Sequence, residues 1–91
     1  MNIPPIVNID TALKIYYSNV ELGNREIKEL FGQRSTTTIV RLKKAVKVEM
    51  DKRKIYSYGA NRVNTKVAYE VFGIDVDDLE RRRAKLKKLD L

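Results

Sequence analysis

The tetrad Glu29-Leu30-Phe31-Gly32 returns 41 residues later as Glu70-Val71-Phe72-Gly73, and each copy closes a short amphipathic stretch. Glycine enters the left-handed C-cap conformation without the steric cost that other residues meet there. A Phe-Gly pair after an apolar-periodic run therefore reads as a helix stop. Two such stops in 91 residues cut the chain into short helices. No apolar run approaches the roughly 20 residues of a membrane span. A four-residue likeness, identical at three positions, is slender support for an internal duplication, and two separate uses of one kind of stop is the simpler reading.

The rest of the pattern fills in around these stops. Met1 to Asn8, with Pro4 and Pro5, reads as an N-terminal arm. Asp10 is the expected N-cap of a first helix running to about Ser18, with Ile9, Leu13, Tyr16 and Val20 on its apolar side. Asn19 to Gly23 reads as a connector. Gly23 or Asn24 caps a second helix that buries Ile27, Leu30 and Phe31. With Gly23 as cap, Glu26 takes the third helical position, where a carboxylate suits the helix N-terminus. The third helix is the longest, from Arg34 or Ser35 to about Asp51. Its residues Ile39, Leu42, Val46 and Met50 recur at spacings of three, four and four, which is one helical face. Lys52 to Asn64 admits two readings, a short β-hairpin at about 55–63 around Gly59-Ala60-Asn61 or an irregular loop. Asn64 or Thr65 caps a fourth helix carrying Val67, Ala68, Val71 and Phe72. A fifth follows from about Asp75, with acids in its first turns and cations after them, as the helix dipole favours. The expected fold is all-α with about five helices in one domain over 1–91. An arm (1–8) precedes a helix-turn-helix region (10–54) and a C-terminal helical pair (64–91).

Charge narrows the function. The net charge is +7, and residues 33–54 alone hold eight cations against two acids. A positive field so localised is the footprint of a nucleic-acid contact. The chain has no cysteine and no histidine. Disulfides and thiolate sites are excluded, and the commonest general base and metal ligand are both missing. The four glycines are never clustered, so no phosphate-cradling loop is present. The expectation is a protein that is no enzyme, takes no cofactor or small-molecule ligand, and does not enter a membrane. The N-terminus lacks a basic region followed by an apolar run, which points to the cytoplasm.

The segment Gly23 to Val46 (GNREIKELFGQRSTTTIVRLKKAV) joins a short amphipathic helix, a glycine turn at Gly32 and a polar stretch, Gln33 to Thr38, that opens the next helix. It resembles the helix-turn-helix of bacterial and phage DNA-binding proteins, with one extra residue in the turn that brings the later apolar anchors onto Ile39 and Leu42. The resemblance implies that the second helix docks in the major groove, where its N-terminal residues reach base edges. On the hairpin reading, and not on the loop reading, the segment after that helix could act as a wing, as in winged-helix proteins.

Opposite the apolar face of the third helix the spacing places Gln33, Thr37, Arg41 and Lys44, with Arg34 beside them. Arginine bridges guanine O6 and N7, and glutamine bridges adenine N6 and N7. Gln33, Arg34, Thr37 and Arg41 are the base-edge candidates. Ser35, Thr36, Lys43, Lys44 and Lys47 are the phosphate candidates, although Ser35 suits the helix cap better. Arg81-Arg82-Arg83 follows four acids that would repel phosphate, so the last helix reads as structural or as a partner surface. Its Leu79, Leu86 and Leu89 form a sparse stripe fit for the core or a second subunit. Tyr56 and Tyr58 read as cover for a small core, with a backbone contact in a wing as the rival. The function expected is sequence-specific binding of double-stranded DNA by a homodimer. The protein would be a transcriptional regulator or an accessory factor of a phage or mobile element. The alternatives are a protein-interaction module, or an RNA-binding protein, using the same basic helix.

Overall fold

The computed structural model describes residues 3–89. Its elements run α1 (Ile9–Ser18), β1 (Glu21–Leu22), α2 (Asn24–Phe31), α3 (Thr36–Arg53), β2 (Val63–Asn64), α4 (Thr65–Val71) and α5 (Val76–Leu89). The fold is mainly helical. The strands form a small antiparallel ladder, Glu21 opposite Asn64 and Leu22 opposite Val63. The expectation of an all-α chain is corrected to that extent. The hairpin at 55–63 is also corrected: those residues do not pair with one another, and the strand beginning at Val63 pairs back to the connector after α1.

Local chemistry explains the boundaries. Asn8, not Asp10, caps α1, its side-chain oxygen accepting the Thr11 N–H at 2.7 Å. Asp10 falls inside the first turn. Gly23 caps α2 and has no side chain to contribute, but Glu26 accepts the Gly23 N–H at 2.8 Å. Ser35 caps α3, accepting from Thr38 N–H at 3.2 Å. Asn64 caps α4 through Val67 N–H at 3.0 Å. Asp75 accepts from Asp78 N–H at 3.2 Å where α5 begins. α3 starts one to two residues later than the pattern predicts and runs two residues further, to Arg53.

One hydrophobic cluster draws on every element. α1 supplies Ala12, Leu13 and Ile15, α2 supplies Ile27, Leu30 and Phe31, and α3 supplies Ile39, Leu42, Val46 and Met50. Leu22 and Val63 bring the strand pair into it, α4 adds Val67, Ala68 and Tyr69, and Leu79 anchors α5. Val20, predicted on the apolar side of α1, lies beyond the helix and is exposed. The arm packs Ile3 and Ile6 onto this core, and Val7 N–H donates to the Leu30 carbonyl at 2.9 Å.

The two Phe-Gly stops prove to be more than matching letters. Gly32 has φ +85° and Gly73 φ +72°, both closed to ordinary side chains. With ψ −176°, Gly32 lies in an extended, positive-φ region that is essentially glycine's alone, not in the left-handed helical one. Phe31 and Phe72 meet edge to face with centroids 5.1 Å apart. Paired Leu22 and Val63, and the caps Gly23 and Asn64, stand at the same offset in the chain as the stops. The likeness therefore extends over a strand–cap–helix–stop unit used twice.

Candidate nucleic-acid interface

α3 presents its surface because only one side of it is covered. Ile39, Leu42, Val46 and Met50 face the core. At about 100° per residue, Thr37, Lys44 and Val48 stand opposite them, with Val40 and Lys47 to one side and Arg41 to the other. All six are exposed. The side chains of Arg41, Lys44 and Lys47 form no ion pair or hydrogen bond among the described residues. Thr36 and Thr37 stand exposed in the first turn. The result is a helix face with three untethered cations, two threonines and two outward valines.

The remaining predicted residues divide. Gln33 is exposed in the turn between Gly32 and Ser35, ahead of α3 and not on it. Arg34 precedes the helix too, and its Nε donates to the Phe31 carbonyl at 3.1 Å, closing the C-terminus of α2. Ser35 serves the cap, and its hydroxyl also meets Thr38 Oγ1 at 3.0 Å. Lys43 is overturned as a phosphate contact. Its side chain is buried, and its Nζ donates to Asn24 Oδ1 at 3.1 Å, fastening the start of α2 to α3. Burial, then the nearby charges of Lys47 and Arg62, hold its ammonium below the usual lysine range. The sequence carried the signal, because Lys43 stands four residues after Ile39, on the apolar face.

Val40 and Val48 were not singled out by sequence, though they lie off the apolar stripe. Val40 is 55% exposed and Val48 49%. Apolar groups on a reading helix can meet the thymine methyl in the major groove. Elsewhere the cations are partly occupied. Arg53 is held by Glu70 and Glu49, which raise its pKa further. On α5, Arg81 and Arg82 reach Asp78, and Arg83 reaches Asp10 at 2.9 Å.

Residues 54–62 form a folded loop beside α3. Glu21 accepts the N–H groups of Tyr58 (2.7 Å) and Gly59 (3.1 Å). Arg62 Nη2 donates to the Glu21 carbonyl at 3.0 Å and to Glu26 Oε1 at 3.1 Å. Ser57 Oγ donates to the Arg62 carbonyl at 2.6 Å. The core role for Tyr56 and Tyr58 is overturned, since they are 78% and 97% exposed. Sequence gave no hint of the Glu21 clamp, which acts across 37 residues. The loop, together with Lys47 and Asp51 of α3, lines one shallow hollow.

No helix among the described residues is long and apolar enough to cross a membrane. No protein-family model, curated protein or solved structure matches this chain.

Proposed function

We propose that the chain binds double-stranded DNA, with the outer face of α3 in the major groove. The observation that carries this reading is the open α3 face, whose Arg41, Lys44 and Lys47 side chains are committed to no partner among the described residues. Arg41 is the base-reading residue, Thr37 and Val40 its neighbours in the groove, and Lys44 and Lys47 neutralise phosphate. Gln33 and Arg34 approach from the turn. Arg34, with one nitrogen held by the Phe31 carbonyl, keeps its other donors for phosphate or base. α2, the turn and α3 then act as a helix-turn-helix, α2 lying across the backbone.

One such unit offers few base contacts. A homodimer on paired half-sites roughly 34 Å apart is the usual geometry, and a regulator or accessory factor of a phage or mobile element is the role this size and charge fit. The test is fluorescence anisotropy of labelled duplex and single-stranded DNA at two salt concentrations. Duplex binding that weakens steeply with salt, followed by selection of one preferred sequence from a random pool, is the result expected. Absence of duplex binding at low salt would overturn the reading in favour of a protein partner. A preference for single strands or A-form helices would favour RNA.

A further inference from the structure

The loop between α3 and β2 is built more firmly than a mere connection requires. It is bounded by two non-glycine residues with positive φ, Lys54 at 57° and Asn61 at 61°. Lys54 is the left-handed residue that caps α3, and asparagine takes this conformation more readily than most residues, so the two mark the ends of the loop. Here the Glu21 carboxylate grips two successive N–H groups, and Arg62 ties the loop's far end to β1 and α2. A side chain at Gly59 would strike the Arg62 stem, 2.5 Å from an added Cβ, so chain and stem lie pressed together.

What this framework holds up is a pair of aromatic rings in water. Burial of rings is among the largest contributions to a small core, yet Tyr58 is 97% and Tyr56 78% exposed. The loop orders them without covering them. A tyrosine on an ordered loop makes a large contact at little cost in conformational entropy, since only two side-chain torsions remain to be fixed. The surroundings are basic, with Lys52 and Lys54 exposed at the end of α3 and Lys47 across the hollow. Among the described residues Asp51 is the one acid lining that hollow, and the Glu21 carboxylate is occupied by the loop's own N–H groups.

We propose that this loop is a second, preformed contact with the sugar-phosphate backbone of the same duplex, made by the Tyr58 and Tyr56 rings and hydroxyls. Glu21 is its positioning residue: it touches no DNA and sets the loop's shape through two backbone N–H groups. The proposal rests on the α3 reading, because Lys47, one of the open cations of α3, lines the hollow together with the loop. The phenol hydroxyl donates to a phosphate oxygen and the ring lies against sugar.

The experiment compares duplex affinity of the full chain with that of Tyr58→Ala, Tyr58→Phe, Glu21→Gln and Arg41→Ala, alongside circular dichroism and thermal unfolding of each. Tyr58→Ala should bind about tenfold more weakly, losing both a hydrogen bond to a charged acceptor and the ring's contact with sugar, with unchanged helicity and melting temperature. Tyr58→Phe should fall between it and the parent. Glu21→Gln should weaken the parent several-fold and the Tyr58→Ala background hardly at all, a coupling that a general loss of stability would not produce. If Tyr58→Ala binds as tightly as the parent while Arg41→Ala does not, the loop contact is wrong and the α3 reading survives. If the parent chain binds no duplex, both fall. Should Tyr58→Ala lose only binding to single-stranded DNA, the rings stack on bases and the backbone contact is overturned.

Discussion

Arg41 and Lys43 stand two positions apart on α3 and have opposite fates, one facing water and one pinned to Asn24. Arg41→Ala should therefore cost about 1–3 kcal/mol of duplex affinity and relax discrimination at one base pair. Lys85→Ala, on the far helix, should change affinity little, and anisotropy titrations with single-base variants of the preferred site read both effects. The same contrast shows how far residues could be read from sequence. The helical spacing gave the core face and the open side with Thr37, Arg41 and Lys44. Charge alone points Lys43 outward, but its position four residues after Ile39 puts it on the apolar face. Tyr69 carries a second residue-scale prediction. Burial, helped by Tyr16, raises its pKa well above the ordinary value of 10, and its hydroxyl donates to the Ala12 carbonyl at 2.6 Å. A raised folded-state pKa adds stability in full below about pH 10 that is lost as pH climbs beyond it, because only the unfolded chain ionises there. Lys43, with its pKa lowered, acts with the opposite sign as pH nears its unfolded value of 10.5, but its shift is the smaller. Stability should fall above pH 10, and Tyr69→Phe should flatten that decline, as chemical denaturation across the alkaline range would show.

Elements are decided by stops, caps and distant partners, and these differ in how openly the sequence displays them. Gly32 and Gly73 were legible, since a glycine after an apolar run has few other uses. Gly32→Ala meets no neighbour within 4 Å, so its whole cost is the positive φ, about 1–3 kcal/mol for that region, measurable as a lowered denaturation midpoint. Asn64→Ala should cost about 1 kcal/mol by removing the cap of α4. The strand pair was not legible. Two residues show no alternation, and what makes Glu21–Leu22 a strand is the distant segment Val63–Asn64. Nor could the loop be settled locally, because it is held by a carboxylate from the other strand and not by a turn of its own.

For the molecule as a whole, the reading of α3 turns on where its positive charge remains uncommitted. Salt bridges absorb much of the arginine on α5, whereas among the described residues Arg41, Lys44, Lys47 and Lys52 on α3 and Lys54 just beyond it stand open. If three to four of these meet phosphate, the logarithm of the binding constant should fall with the logarithm of salt concentration at a slope of roughly −3 per bound chain. A much flatter slope would place the contact elsewhere. The architecture also joins what the sequence separates, since the Phe31–Phe72 contact and the strand ladder both close over long stretches of chain. Beside the strand ladder lies Met50, 3% exposed, whose sulfur accepts the Asn64 N–H at 3.4 Å. In a chain without cysteine, a thioether so placed can act as a clock. Peroxide converts it to a polar sulfoxide chiefly when the packing around it parts, so the rate at which one oxygen's mass is added at Met50 measures the share of time the native protein spends open.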